Sequence, residues 1–100
     1  MILFEWDEKK AEINRRKHGV SLEEATLVFE DPYAMAKQDR IERGERRWQT
    51  LGMVADMVVM LVAHTVRDEE QNEVIRIISA RRATRKERRH YEQNRQENTL

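Results

Sequence analysis

The apolar residues of this chain come in short runs, and this constrains the fold more than any other feature. The longest run, MVVMLVA, covers residues 57–63. It is far shorter than the roughly 20 residues of a membrane-spanning helix, but it has the length of a buried β-strand. A second run, VIRIISA at residues 74–80, is apolar except for Arg76 and Ser79. The two runs predict strands of a small sheet.

Helix signals precede these strands. After a short strand, ILFEW, Asp7 can cap a helix that runs to about His18. This helix should stop at Gly19, because glycine readily adopts the left-handed conformation found just after helices. The segment SLEE has the spacing of a capping box at Ser21 and opens a second helix, which we expect to end before Pro32.

The remaining elements complete an α+β domain. Residues 34–38 are a weak strand candidate, DRIERGER is expected to form a charged turn, and RWQTLGM predicts a strand paired with the long apolar one. A last helix opens at the capping box of Thr84 and Glu87 and should reach about Asn94. This order predicts one antiparallel sheet with two N-terminal helices and a C-terminal helix. We expect a single domain at residues 1–94 and a polar tail at residues 95–100.

Composition excludes several classes of protein. The chain has 100 residues and no Cys, which excludes disulfide frameworks, thiol catalysis and zinc ribbons. The start lacks the basic segment of a secretory signal, so we expect a soluble cytoplasmic protein. The formal net charge is zero but unevenly spread. Residues 20–45 carry three Lys or Arg against seven Asp or Glu, and residues 73–100 carry eight against four, which predicts an acidic side and a basic side.

A dense basic segment follows the strand VIRIISA directly, with six Lys or Arg among residues 81–89. Three interpretations fit it: contacts to RNA phosphates, a docking surface for an acidic partner, or a solvated helix. The outer residues suit a solvated helix as well as they suit binding. Arg81 and Arg82 are better candidates for a site, because they lie where the strand ends, close to the sheet.

Arg76 interrupts the apolar strand itself. Alternation along the strand predicts one face with Val74, Arg76, Ile78 and Ala80, and an opposite face with Ile75, Ile77, Ser79 and Arg81. An Arg among aliphatic residues either extends to the margin of the sheet, forms a structural ion pair with an acid such as Glu45, or holds an anion in a cleft.

Three further residues are candidates for chemistry. His64 lies near the end of the most apolar strand, on the face of Met60 and Val62; such a His is more often a hydrogen-bonded core residue, but its ordinary pKa also suits acid–base catalysis. Glu45 and Arg47 stand two positions apart, and the carboxylate is either a base or a counter-ion. The three His residues are dispersed, and there is no Gly-rich phosphate loop or serine elbow, so we expect no metal and no cofactor.

Two functions of different kinds are compatible with these residues. Metal-free RNA cleavage needs a base for the 2′-hydroxyl, an acid for the leaving oxygen, and Arg or Lys to stabilise charge on the phosphorus. The same basic surface would also serve a non-catalytic protein that only docks a DNA-binding regulator and co-regulates transcription.

Several segments, in order and at consistent spacing, resemble the BrnT family of toxins. They are FEWDEKKAEINRRKHGVSLEEA, then GERRW followed by LG, then VAHTVR, then RIISARRATRKERRHYE, and together they cover about residues 4–92. The departures are small. Glu8 stands where the family often has Pro, Leu22 stands where it often has Phe, and the turn DEEQNE lacks a Gly.

The resemblance implies a RelE-like fold and a ribonuclease toxin of a type II toxin–antitoxin system, which arrests growth by cutting RNA. It also implies a BrnA-like antitoxin, a ribbon-helix-helix DNA-binding protein that neutralises the toxin and represses their shared operon. The toxin would then form a hetero-oligomer with the antitoxin and reach DNA only through it.

By the same resemblance, the catalytic positions fall on Lys17, Glu45, Arg47, His64, Arg76 and Arg81. We expect Arg47, Arg76 and Arg81 to bind or polarise phosphate. Glu45 or His64 is the candidate base, and Lys17 adds electrostatic support. The outer basic residues are expected to contact RNA or the antitoxin; they are Arg82, Arg85, Lys86 and Arg89.

Overall fold

The computed structural model describes residues 1–99, apart from the side chain of Asp56, as an α+β fold with one five-stranded sheet. The strands are β1 (Ile2–Glu5), β2 (Met35–Glu42), β3 (Glu45–Met53), β4 (Val59–Glu69) and β5 (Asn72–Arg82). The α-helices are α1 (Glu8–His18), α2 (Leu22–Ala25) and α3 (Arg85–Glu97), with short 3-10 helices at Thr26–Glu30 and Ala55–Met57. The predicted class and the placement of the helices are confirmed. Leu100, the last residue of the predicted tail, lies outside the described residues.

The strand order in the sheet is β1-β5-β4-β3-β2. Strands β2 to β5 pair antiparallel, as predicted, but β1 runs parallel to β5, with Leu3 opposite Val74. The sheet is therefore mixed, and not wholly antiparallel. The difference arises because α1 and α2 carry the chain from the β1 edge to the β2 edge, and local sequence patterns do not specify which strand β1 will join. Within residues 1–99 no helix is long and apolar enough to cross a membrane.

Tight turns join the antiparallel strands. Arg43 and Gly44 connect β2 to β3 with φ angles of 53° and 80°, the left-handed pair that a type I′ hairpin requires. Most of the segment DRIERGER therefore belongs to β2 and β3, and the predicted charged turn is only its centre. The residue pair 70–71 likewise connects β4 to β5. In β2 the register with β3 shifts between Gln38 and Arg40, which marks a β-bulge.

The N-terminal helices begin and end where the sequence predicts. The Asp7 carboxylate accepts the backbone N–H of Lys9 at 2.8 Å and caps α1, and Gly19 ends it with φ 71°. The Ser21 hydroxyl accepts the N–H of Glu24 at 3.0 Å and caps α2. The predicted second helix is divided, because α2 tightens into a 3-10 helix after four residues.

Two hydrophobic cores lie on opposite faces of the sheet. On the first, which we call the α2 face, side chains from α2 and the following 3-10 helix pack on β4 and β5; they include Leu22, Ala25, Val28, Met60, Val62, Ile75 and Ile77. On the second, the α3 face, a smaller cluster of Leu51, Val59 and Tyr91 packs with partly buried Met35 and Leu61. The α3 face is therefore only partly covered, and polar side chains occupy the rest of it.

A register shift inverts the predicted alternation along β5. His64 pairs with Ile77, but the preceding Ala63 pairs with Ser79, so β5 carries one extra residue at this point. Ala80 consequently joins the α2-face core together with Ile77. The prediction that Ala80 shares a face with Arg76 is wrong for this reason, and the register instead puts Arg76 and Arg81 on the same face.

Helix α3 is held by a few polar contacts. The predicted capping box is present: the Glu87 N–H donates to Thr84 Oγ1 at 3.2 Å, and the Thr84 N–H donates to the Glu87 carboxylate at 2.8 Å. Tyr91 is fully buried, and its hydroxyl donates to Asp31 at the end of the 3-10 helix. The helix continues to Glu97, three residues beyond the predicted end.

Candidate active site

A polar cavity of about 120 Å³ lies on the α3 face, where the three central strands meet the start of α1 and the β2–β3 turn. We call it the arginine pocket. Its polar lining consists of Asp7, Lys10, Arg43, Glu45, Arg47, Thr65 and Arg76. Four of these side chains are basic and two are acidic, so the pocket has an excess of positive charge. This charge favours an anionic ligand.

The sheet positions the three central residues of the pocket in a row. Arg76 on β5 pairs with Thr65 on β4. Arg47 on β3 directly precedes Trp48, whose partner on β4 is His64, so Arg47 lies across from Thr65. Adjacent strands are about 4.8 Å apart. Two guanidinium groups therefore flank one hydroxyl, an arrangement that suits several oxygens of one phosphate group.

Arg47 is the most constrained of the basic residues. Its side chain is only 23 % exposed, and its nearest acid, Glu42, is 3.9 Å away. Its Nε is buried and has no hydrogen-bond partner within residues 1–99. A buried N–H donor without an acceptor is unfavourable by about 1–3 kcal/mol. An anion that supplied an acceptor oxygen here would remove that penalty.

The arginines of the α3 face differ in whether they are already neutralised. Arg67 is bound by Glu5 and Glu69, and Arg81 donates to the Glu87 carboxylate at 2.8 and 3.0 Å. The Arg81 hydrogen bonds hold the pKa of Glu87 at about 2, so the carboxylate stays charged at neutral pH. In contrast, Arg76 forms no ion pair in the described part of the chain. Of these three arginines, only Arg76, which lines the arginine pocket, is therefore not neutralised by a described acidic side chain.

Helix α1 and the hairpin turn complete the pocket. Lys10 comes from the first turns of α1, and Asp7 is the cap of that helix. The backbone N–H groups of residues 9 and 10 lower the pKa of Asp7, so its carboxylate is charged and engaged as a cap. Glu45 begins β3 just after the turn and lines the cavity, with no hydrogen bond from its side chain within residues 1–99. Its carboxylate is therefore not engaged by another described side chain.

The family model of the BrnT ribonuclease toxins of type II toxin–antitoxin systems matches residues 6–87, a range that contains the whole arginine pocket. The chain belongs to the BrnT family. It is therefore a ribonuclease toxin, with RNA as substrate and an antitoxin as partner. Among curated proteins none matches the chain.

The structure brings together three of the six predicted catalytic residues of this BrnT toxin: Glu45, Arg47 and Arg76 all line the arginine pocket. Arg81 is on the same sheet face but is paired with Glu87. Lys17 lies exposed near the end of α1, seven residues after Lys10 and thus about 10 Å further along the same side of the helix.

His64 lies outside the pocket, on the α2 face. It is 3 % exposed, contacts Thr50 Oγ1 at 2.7 Å, and packs edge-on against Phe29 with ring centroids 4.8 Å apart. Burial lowers the pKa of His64, while its contact with the Thr65 carbonyl acts in the opposite direction. This environment is that of the hydrogen-bonded core histidine, the alternative that the sequence favoured.

The outer basic residues of the BrnT toxin lie at the end of β5 and on α3. Arg82, Arg85, Lys86 and Arg89 are exposed, and none forms an ion pair within residues 1–99. Lys86 lines a second cavity beside α3. Their contacts with RNA or the antitoxin stay predictions.

Sequence reasoning missed Lys10, Arg43 and Thr65 as members of the pocket. Lys10 could have been found, because it belongs to the segment that resembles the family. Thr65 could also have been found, because alternation along β4 places its side chain on the opposite face of the sheet from the His64 side chain. Arg43 had none, since only the tight turn brings it over the pocket. Within residues 1–99 no group of three His, Asp or Glu residues is placed to hold a metal ion.

Proposed function

We propose that the arginine pocket cleaves RNA internally, by attack of a 2′-hydroxyl on the neighbouring phosphorus. The observation that carries this proposal is the presence of Arg47 and Arg76 in one cavity, where Arg76 forms no ion pair with the described side chains and the buried Arg47 Nε, 3.9 Å or more from any acid, lacks an acceptor. Guanidinium groups placed where charge develops on the phosphorus stabilise the transition state more than the substrate.

Each residue of the pocket has a distinct role in this proposal. Glu45 accepts the proton of the 2′-hydroxyl, since its carboxylate faces the same cavity and is not engaged by another side chain. Arg47 and Arg76 bind the non-bridging oxygens, and the Thr65 hydroxyl donates between them. Lys10 adds positive charge from the α1 side.

We further propose that the reaction needs no metal ion. In metal-dependent nucleases the cation offsets the charge that develops on phosphate oxygens. Here four basic side chains, Lys10, Arg43, Arg47 and Arg76, already surround the pocket. The product would then be a 2′,3′-cyclic phosphate, because the 2′-oxygen replaces the 5′-oxygen on the same phosphorus, and the 5′-oxygen leaves as a hydroxyl with a proton taken from solvent water.

The antitoxin is proposed to be a BrnA-like ribbon-helix-helix protein, through which the toxin acts on DNA indirectly in a cytoplasmic hetero-oligomer. Support comes from the family match and from the exposed basic residues at the end of β5 and on α3, which suit an acidic segment that orders on binding. A mass measurement on the co-purified complex would identify the partner and the stoichiometry.

Incubation of the purified chain with total cellular RNA in EDTA tests the proposed reaction. We expect fragments ending in cyclic or 3′-phosphate from the wild type, at least 100-fold fewer from Arg76→Ala, and no change in Arg16→Ala. Arg16 is a matched control, because it is an exposed arginine of α1 paired with Glu12. Intact RNA from folded protein, both as free RNA and on translating ribosomes, would instead favour the non-catalytic docking function.

A further inference from the structure

A second cavity lies on the α3 face beside the arginine pocket. It has a volume of about 300 Å³, with a mostly apolar floor formed by Met35, Leu51 and Leu61. Helix α3 forms one wall, and strands β2 and β3 add polar groups; these residues are Lys37, Gln49, Lys86, Glu87 and His90. We call this cavity the α3 groove. Its volume is at the lower end of the range for small-molecule sites, which suits one nucleoside better than a helix or a long peptide.

The α3 groove and the arginine pocket lie on the same face of two neighbouring strands. On β3, Arg47 lines the pocket and Gln49 lines the groove; on β4, Thr65 lines the pocket and Leu61 lines the groove. Residues two apart on a strand share a face, so Arg47 and Gln49 are about 7 Å apart, and Thr65 and Leu61, which are four apart, are separated by about 14 Å. Between Thr65 and Leu61 on β4 lies Ala63, whose small side chain occupies little space between the two cavities. A nucleoside attached to a phosphate in the pocket would thus extend into the groove.

The chemistry of the groove fits a nucleobase. The apolar floor can cover the flat face of a base, and His90 offers an aromatic ring at the wall. The Gln49 side chain forms no hydrogen bond within residues 1–99, so its amide can both donate to and accept from the edge of a base. Lys37 and Lys86 at the rim have no acidic partner in the described residues and suit the next phosphate.

Hydrogen bonds and strand pairing hold two parts of the groove in place. Its wall residue Glu87 accepts two hydrogen bonds from Arg81 and one from the Thr84 N–H. Lys37 and Ala63 are the register partners of Gln49 on either side, so its backbone is fixed at the centre of the sheet. Strand pairing on both sides fixes the point from which the Gln49 amide reaches the groove, and an amide held at one depth can pair with the edge of a base.

We propose that the α3 groove binds the nucleobase next to the scissile phosphate, and that Gln49 determines which base is preferred. This inference rests on the proposed function of the arginine pocket. A glutamine amide pairs with adenine through two hydrogen bonds, so we expect adenine to be preferred over the other bases by about tenfold in affinity.

Binding, measured apart from cleavage, tests the inference. Fluorescent single-stranded RNA oligonucleotides carry a 2′-deoxy nucleotide at the scissile position, which prevents attack, and differ only in one base on either side of it. Fluorescence anisotropy with the full chain gives the affinity for each base. We expect Gln49→Leu to equalise the four affinities, and Gln38→Leu to leave the preference intact. Gln38 is the matched control, because it is exposed on β2 and pairs with Trp48, away from the groove.

A photoreactive 8-azidoadenine at the preferred position gives a second readout that uses only the wild type. Cross-links to peptides of β3 and α3 are expected, and cross-links confined to other parts of the chain would overturn the inference. Cleavage that persists while Gln49→Leu leaves base preference unchanged would overturn the inference but not the proposed function. Base preference without any cleavage would overturn the proposed function but not the inference about the α3 groove. If Gln49→Leu weakened only antitoxin binding, the groove would be a protein-docking site and the inference would be wrong.

Discussion

Asn14 substitutes for a missing strand neighbour of β5, and its removal gives the sharpest test of how the fold is held. Strand β1 pairs with β5 only as far as Arg76, so the edge of β5 beyond that point has no strand beside it. The Asn14 side chain, 5 % exposed on α1, accepts the N–H of Ala80 at 3.0 Å and donates to the Ala80 carbonyl at 2.9 Å. It also donates to the Val20 carbonyl at 3.2 Å.

The structure gives the expected magnitude of an Asn14→Ala substitution. Three buried hydrogen bonds are lost, each with a net value of about 1 kcal/mol. Alanine favours the helix by up to about 0.7 kcal/mol, which offsets part of this loss. We therefore expect the free energy of unfolding to fall by about 2–3 kcal/mol, a large part of the 5–15 kcal/mol that holds a typical domain.

Equilibrium unfolding in urea measures this loss. With a slope of about 1 kcal/mol per molar urea, typical of a small domain, the midpoint should fall by about 2–3 M. The neighbouring Ile13 is a matched control, since it lies on the same helix but is 62 % exposed. Ile13→Ala should change stability by no more than about 0.5 kcal/mol.

A third variant separates the hydrogen bond that the Asn14 side chain accepts from the two that it donates. Asn14→Asp keeps an acceptor for the Ala80 N–H but removes both donors and introduces a buried charge, so it should destabilise at least as much as Asn14→Ala. Equal, small effects of Asn14→Ala and Ile13→Ala would refute the argument. They would show that α1 is held by its apolar contacts alone and that the edge of β5 does not depend on Asn14.

Three further variants test packing, the α3 anchor and a charged pair. Gly52→Ala should lower stability by about 1–3 kcal/mol, because the added Cβ would lie 2.7 Å from Val28 Cγ1; an unchanged melting temperature would contradict this close contact. Tyr91→Phe removes a hydrogen bond to the Asp31 carboxylate and should reduce the free energy of unfolding by about 2 kcal/mol in urea titrations; a loss below about 0.5 kcal/mol would mean that this bond does not anchor α3. The pKa of Glu87 is held at about 2, below its ordinary value of 4.5, so its stabilisation is complete above the ordinary value and is lost as the pH falls towards 2. The stability difference between wild type and Glu87→Gln should therefore shrink between about pH 5 and pH 2, and a constant difference would exclude the charged pair as its cause.

Features that depend on neighbouring residues could be predicted from the sequence. The caps at Asp7, Ser21 and Thr84 and the end of α1 at Gly19 all appear where expected, because capping is a contact between residues two to four positions apart. The long strands were also predictable, since their apolar runs are much longer than chance would give.

Features that depend on distant residues could not be predicted. The extra residue of β5 opposite Ala63 has no sequence signal, and it reverses the faces assigned to Ala80 and Arg81. Whether an arginine is free or paired is equally non-local. Arg81 and Arg76 look equivalent in the sequence, but Glu87 on α3 neutralises one of them and leaves the other available.

His64 and Thr65 are neighbours on β4, but their side chains lie on opposite faces of the sheet. The sequence was compatible with a core role and with a catalytic role for His64. In the structure the His64 side chain is buried among core residues, and the Thr65 side chain lines the arginine pocket. The resemblance to a family points to His64 along the chain, but it does not tell on which face of the sheet the side chain lies.

The exposed edge of β2 has a consequence for how this protein behaves at high concentration. With a formal net charge of zero and an isoelectric point near 6.9, copies of the chain do not repel each other over long distances at neutral pH. An open strand edge in such a protein invites edge-to-edge aggregation. The β2 edge carries Lys37, Asp39, Arg40 and Glu42 and is bent by the bulge between Gln38 and Arg40. We therefore expect the resistance of this toxin to edge-to-edge aggregation at β2 to depend on these local charges and the bulge, and not on the total charge.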